Sequence, residues 1–296
     1  LLVGRLGLAG ARVPHADRHG LLWLARGRLL VESGTLRFVC AGTDGMDAGD
    51  YAIPYQGVSM ILLGPGCTVT HDVFRLTARH GTTVAAVGED GVKLYTAPAL
   101  GAGRSALARA QASKWADPSA RLEVARSMYA IRFGTVLPNR TIETLRGIEG
   151  ARMKEAYRTS AIQFGLVWKR RRYDRSSPGA ADLPNQALNH AATFVEAAAE
   201  TAIAATGSIG ALGFIHEDSS NAFALDIADL YRTELTIPLA FASVRQAMDD
   251  DAQSLERVVR RRAAEAFKRR GLVANMIDRI KELLGADGGG GDAQRQ

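Results

Sequence analysis

Residues 98–103 read PALGAG, and this stretch separates two kinds of sequence pattern. Its proline, glycines and small residues carry no periodicity, so it reads as a linker. Before it, GLLWLA (20–25), RLLV (28–31) and TLRFVC (35–40) are short apolar or alternating runs, split by Arg26-Gly27 and Glu32-Ser33-Gly34. Such runs between turn residues predict strands. YAIPYQGVSMILL (51–63) continues the pattern to the turn Gly64-Pro65-Gly66. Thr70 then reads as the N-cap of a short helix with Val73, Leu76 and Thr77 facing inward. TTVAAVG (82–88) and VKLYTA (92–97) flank Glu89-Asp90-Gly91, a hairpin signal.

After PALGAG the period changes. SALARAQASKWA (105–116), SARLEVARSMYAIRF (119–133) and IETLRGIEGARMKEAYRTSAIQF (142–164) repeat apolar residues at three and four, which predicts helices. Asn185–Thr206 reads as an Ala-rich helix able to pack closely, Asn221–Arg232 as another, and Pro238 as the opening of a third. The expected fold class is therefore α+β. An N-terminal β-rich, sandwich-like domain (1–97) and a linker (98–104) precede a C-terminal all-α domain (105–284) and a flexible tail (285–296).

Composition narrows the function classes. The chain has 296 residues, 47% hydrophobic and 23% charged, as expected of a soluble globular protein. No apolar run is long enough to span a membrane, and no export signal precedes the strands. The absence of an initiating Met at Leu1 suggests that the true start lies upstream. Cys40 and Cys67 form no metal or redox spacing and read as small buried hydrophobes in a reducing cytoplasm. The net charge is +6, and much of the excess lies in two runs, 169–175 and 257–270. Either run alone would pass as a solvated face; two of them point toward phosphate contact. Phosphate-loop, GxSxG, HExxH and GxGxxG motifs are all absent.

The chemistry that remains is acidic. NAFALDIADL (221–230) sets Asp226 and Asp229 three residues apart in an apolar run, so on a helix they share a face. His216 lies ten and thirteen residues before them, after the strand-like GFI, and Glu149 sits in LRGIEGARMKEAY (145–157). Oxygen ligands with one imidazole suit Mg²⁺ or Mn²⁺. The plainer alternatives are a solvated Asp pair, a hydrogen-bonded core histidine, and a Glu149 paired with Arg146 or Arg152 one helical turn away. Spacing alone does not decide whether the three segments meet.

LRGIEGARMKEAY, NQALNHAA (185–192), GFIH (213–216) and LDIADL (225–230) occur in this order, with LLGPG (62–66), VGEDGVKLY (87–95) and RRYD (171–174) among them. Together they resemble the CRISPR-associated integrase/endonuclease of spacer acquisition, nearest its Cascade-associated (type I-E) subtype. The resemblance implies a divalent-metal-dependent enzyme that inserts short foreign DNA into a CRISPR array by 3′-OH attack on a phosphodiester. It implies Glu149, His216 and Asp226 as metal ligands for Mg²⁺ or Mn²⁺, with Asp229 as a further catalytic carboxylate. It also implies double-stranded prespacer DNA with 3′ ends and CRISPR array DNA as partners, a homodimer, and a small ferredoxin-fold adaptation protein. Arg75, Lys93, Arg171, Arg172, Arg257 and Arg260 match basic positions that hold phosphates. Two positions depart from the pattern: HEDSSN (216–221) puts Glu217 and Asp218 where relatives often carry a lysine, and Arg26 replaces an aromatic in the first hairpin. A structure-specific nuclease without integration partners and a catalytically silent DNA-binding scaffold are the alternatives.

Overall fold

The computed structural model describes residues 20–43, 46–97, 105–136, 141–172, 181–249 and 253–285. The expected linker (98–104) and the tail beyond Gly285 lie outside the described residues. The chain divides into two compact units: a strand-rich one through Glu89 that resumes at Leu94, and a helical one from Ala106 that also takes in Asp90–Lys93.

In the strand-rich unit the short apolar runs become two four-stranded sheets. The first holds β1 (Gly20–Leu24), β5 (Val58–Leu63), β7 (Thr83–Val87) and β8 (Leu94–Thr96); the second holds β4 (Gly49–Ala52), β3 (Thr35–Cys40), β2 (Gly27–Glu32) and β6 (Thr68–Val69). β1, β5 and β7 run parallel, while β7 and β8 form the expected hairpin around a 3₁₀ turn at Glu89–Gly91. β5 reads VSMILL without alternation because nearly all of it is buried, as befits an inner parallel strand. β2 and β3 pair from Gly27↔Cys40 to Glu32↔Thr35. Gly27 is required there, because a Cβ would lie 2.4 Å from the Phe38 ring. Leu24, Leu29, Leu36, Phe38, Val58 and Ile61 come from both sheets into one core, and Val73 of α1 (His71–His80) joins them. Arg26 takes a left-handed conformation with φ 55° between β1 and β2. Its backbone N–H donates to Pro65 O.

The helical unit comprises α2 (Ala106–Ala116), α3 (Pro118–Phe133), α4 (Ile142–Gln163), α5 (Leu183–Thr206), α6 (Ala222–Asp229), α7 (Ile237–Asp249), α8 (Leu255–Arg270) and α9 (Leu272–Leu284). The starts of α3, α4, α5 and α8 follow capping rules: the side chains of Asp117, Thr141, Asp182 and Ser254 accept first-turn N–H groups. α5 is the axis of the unit and packs against α6, α7, α8 and α9. Its alanines are buried on most sides, which suits a helix surrounded by others. Between α6 and α7 the chain winds into a π-helical turn at Arg232–Thr236, a distortion that concentrates at functional sites.

Candidate active site

The site starts from a loop that has almost no freedom. After α5 ends at Thr206, capped by Gly207, the loop that follows is tied to α2 through Ile209, Leu212 and Gly213. Buried Gln111 donates to Ile209 O and Leu212 O and accepts from Ile209 N. Trp115 Nε1–H donates to Gly213 O at 2.9 Å. Gly213 must be glycine, since a Cβ there would stand 2.3 Å from His216 O and 2.8 Å from the Ala222 Cβ. The loop is thereby pressed onto the start of α6.

Asp226 receives that loop. Its side chain is fully buried. Oδ2 accepts from Phe214 N at 2.6 Å and Ile215 N at 3.1 Å, while Oδ1 accepts from His216 N at 3.0 Å and contacts His216 Nδ1 at 2.7 Å. Arg146 of α4 donates to Ile215 O in the same loop. A carboxylate only accepts, so the Nδ1 contact puts a hydrogen on Nδ1 and turns Nε2 outward. The hydrogen bond to Asp226 raises the His216 pKa above its ordinary value against the opposing effect of burial, with the charges of Asp226, Asp229 and Glu149 adding to the rise.

Asp229 lies one turn on, at the rim. His216 Nε2 stands 4.0 Å from Asp229 Oδ2. Arg232 Nη1 donates to Asp229 Oδ1 at 2.5 Å, and the Asp229 charge raises the Arg232 pKa further. On α4, Glu149 pairs with neither Arg146 nor Arg152. Its Oε1 accepts from Nη2 of Arg132, whose Nη1 is 3.6 Å from Asp229 Oδ2. Arg152 instead donates to Phe133 O and covers the Phe133 ring. Glu149, His216 and Asp229 thus face one another across α4, the GFIH loop and α6, with side-chain exposures of 21%, 39% and 13%. Asp226 does not share that exposed face with Asp229, although their spacing suggested it; the folded loop covers Asp226 completely.

Among the described residues, no three His, Cys, Asp or Glu side chains stand in an arrangement ready to hold a metal ion. The donors nevertheless fit a hard divalent cation: an imidazole oriented through Nδ1 and two carboxylates whose present partners are cations. Arg132 was not among the expected residues. Its signal is a lone charge inside the apolar MYAIRF (128–133), the same kind of anomaly that marked Asp226.

The expected DNA-binding residues separate on inspection. Arg75 of α1 is exposed and paired with Asp72, and Lys93 is exposed. Arg172 is exposed, but Arg171 turns inward, with Nη1 donating to Asn185 Oδ1 and Nη2 to Asn189 Oδ1 on α5. Arg257 and Arg260 lie on α8, Arg257 exposed and Arg260 half-buried at the edge of the buried face that includes Val259, Ala263 and Phe267. Within the same run Arg262 is bound to Gln246 on α7 and Arg270 to Glu234 O. Glu217, at the departure in HEDSSN, is neutralised by Arg121 at 2.6 Å.

The chain thus has a strand-rich unit and a helical unit that carries an acid-lined site, and its similarities to known proteins identify the family. The family model for CRISPR associated protein Cas1 matches residues 132–269, a span that contains Arg132, Glu149, His216, Asp226 and Asp229. The CRISPR-associated endonuclease Cas1 1 of Rhodospirillum rubrum is 37% identical over 92% of this chain and 86% of its own. A structure of a TtCas1–DNA complex superimposes with a TM-score of 0.80 at 34% identity, covering 90% of this chain and 96% of the other. A casposase bound to integration product shares the fold, with a TM-score of 0.64 at 16% identity over 90% of this chain and 96% of its own. This chain belongs to the Cas1 family of CRISPR-associated endonucleases. No helix among the described residues is long and apolar enough to cross a membrane.

Proposed function

We propose that the protein is a divalent-metal-dependent DNA integrase that joins short foreign DNA to a CRISPR array. Glu149, His216 and Asp229 would hold Mg²⁺ or Mn²⁺, and Asp226 would act behind His216. The observation that carries this reading is the Asp226–His216 contact. A buried carboxylate on Nδ1 leaves the Nε2 lone pair of the neutral ring facing Asp229 and Glu149. Asp229 therefore replaces Asp226 in the ligand set expected from the resemblance, because both Asp226 oxygens already serve N–H donors.

A bound divalent ion would supply Lewis acidity toward a phosphoryl oxygen and orient the attacking hydroxyl. The protein's own groups do the rest. Asp226 holds the ring, the GFIH loop excludes water from behind it, and Arg132 and Arg232 hold the carboxylates of Glu149 and Asp229 in place. In joining, the incoming 3′-OH gives up its proton as its oxygen forms one P–O bond, another P–O bond breaks, and the released 3′ oxygen takes up a proton, so no net proton is gained or lost. The number of phosphodiester bonds is conserved and no nucleotide is consumed. Water in place of the 3′-OH gives cleavage at the same site, which accords with the endonuclease name of the relatives.

Arg257 and Arg260 are proposed as phosphate contacts from α8, with Arg75, Lys93 and Arg172 as further contacts. Arg171 is assigned instead to holding the segment before α5. A homodimer working with the small ferredoxin-fold adaptation protein, in the cytoplasm, completes the proposal. A prespacer-like duplex with free 3′-OH ends, a supercoiled target carrying an array, the adaptation protein and Mn²⁺ test it together. Covalent joining is the expected result. Nicking alone would favour a structure-specific nuclease, and binding without either product would favour a silent scaffold.

A further inference from the structure

Two arginines of the site, Arg132 and Arg232, belong neither to the ligands nor to the basic runs; Arg232 pairs with Asp229 one turn away in sequence, whereas Arg132 reaches two carboxylates. Arg132 lies near the end of α3 with its side chain only 5% exposed. Its two terminal nitrogens address carboxylates on two other helices, Glu149 on α4 and Asp229 on α6. The guanidinium also lies 5.8 Å from the ring of Tyr129, one turn earlier on α3. Burial, and then the charge of Glu149, push the Tyr129 phenol up to about 12, so this neighbour is neutral. A guanidinium so far from water carries a desolvation cost that only close, well-placed anions offset. Conversely, two carboxylates converging on one cleft repel unless a cation lies between them.

We propose that Arg132 is a positioning residue and the internal counter-cation of the site. Without a divalent ion it holds Glu149 and Asp229 facing each other, and an entering ion takes over both carboxylates from it. The proposal rests on the reading of Glu149, His216 and Asp229 as ligands. Arg132 then has two opposed effects. Its fork keeps the carboxylates preset across three helices, and its charge competes with the ion. Removing the charge tightens ion binding, whereas a purely structural arginine would weaken binding when removed, because the carboxylates would drift.

The test is Mn²⁺ titration of the full chain, read by the electron-spin-resonance signal of free Mn²⁺, with circular dichroism to verify folding. Arg132→Gln should bind Mn²⁺ at least about fivefold more tightly than wild type, as expected for loss of one nearby positive charge. Arg132→Lys, which keeps the charge, should stay within about twofold of wild type on the same reasoning. Unchanged or weaker binding by a folded Arg132→Gln overturns the proposal. Asp229→Ala separates the two layers of the argument. If it binds Mn²⁺ like wild type, the ligand reading fails and the counter-cation with it; if it loses the ion while Arg132→Gln shows no tightening, the counter-cation alone fails. Should Arg132→Gln not fold, proton exchange at the Arg132 guanidinium of the wild-type chain decides. Slow exchange that becomes fast on adding Mg²⁺ supports the hand-over, and exchange unchanged by Mg²⁺ overturns it.

Discussion

The two units bury different things. Among the described residues, the buried polar side chains of the strand-rich unit are neutral: Ser59, Thr77, Thr82 and Thr83. Thr82, for example, donates from its hydroxyl to Tyr55 O at 2.7 Å and contacts Val58 O at 3.2 Å. The helical unit buries Asp226 outright and encloses most of Arg132, Asp229 and Arg232 around it. Ionised groups are costly in a protein interior, and a fold that only had to be stable would resemble the first unit. The contrast teaches where to look for chemistry: the burial of charge in one unit, with partners drawn from several helices, marks the site before any motif is consulted.

The strongest way to break this comparison is at the reaction. Glu149→Ala, His216→Ala and Asp229→Ala should each reduce strand joining by about 10²–10³-fold or more, since each removes a group acting on developing charge. Duplex affinity should change little, because it rests on the basic surface. Gel-based joining and filter-binding assays on the same preparations check both halves. Near-normal joining by any two of the three would remove the site assignment.

Next in size is stability. Asp226→Asn keeps the shape but sets an amide NH₂ against at least one backbone N–H donor whichever way it is turned, and against two of them, Phe214 N and Ile215 N, in one orientation. The expected loss is about 2–4 kcal/mol in urea unfolding. Thr82→Val, the matching change in the strand-rich unit, should cost only about 1 kcal/mol, because a neutral hydrogen bond is lost. Equal losses in the two variants would erase the distinction between the units.

Smaller effects belong to the surface. Removing both Arg257 and Arg260 should flatten the slope of log K against log salt by roughly 1.8 for duplex DNA, about 0.9 per contact. Arg171→Ala should leave that slope nearly unchanged and lower the melting temperature instead, because its guanidinium holds Asn185 and Asn189. An Arg171 variant with normal stability and a flattened slope would return this residue to the DNA path.

The smallest effect is a pH tilt. The hydrogen bond to Asp226 raises the folded pKa of His216, so the imidazolium is favoured in the ion-free fold. Its contribution to stability is fully present below the unfolded value of about 6.5 and is lost as the pH rises through the higher folded value. An ion needs the neutral ring, so Mn²⁺ should stabilise the protein more as the pH rises through the same window. Melting curves with and without Mn²⁺ at several pH values, repeated on His216→Asn, measure this; an identical pH dependence in the variant would mean that other groups set it.

Periodicity is a local property, and it was enough to determine strands before PALGAG and helices after it. Caps such as Asp117 and Ser254 and the hairpin at Glu89–Gly91 are also written locally, in the preference of short polar side chains and glycine for particular backbone angles. The apolar surroundings of Asp226 and the order of GFIH and LDIADL were likewise enough to single out the acids. What each acid faces is not local. Asp226 and Asp229 have the same spacing from a helix's point of view, and only the loop clamped by Gln111 and Trp115 decides that one is covered and the other left at the rim. Glu149 had two arginines one turn away on its own helix, yet its partner comes from α3, seventeen residues earlier in the chain. Arg171 and Arg257 look equivalent as members of basic runs, and the asparagines of α5 alone distinguish them. Burial and charge pairing are sums over neighbours from several helices, and those neighbours meet only when the helices pack.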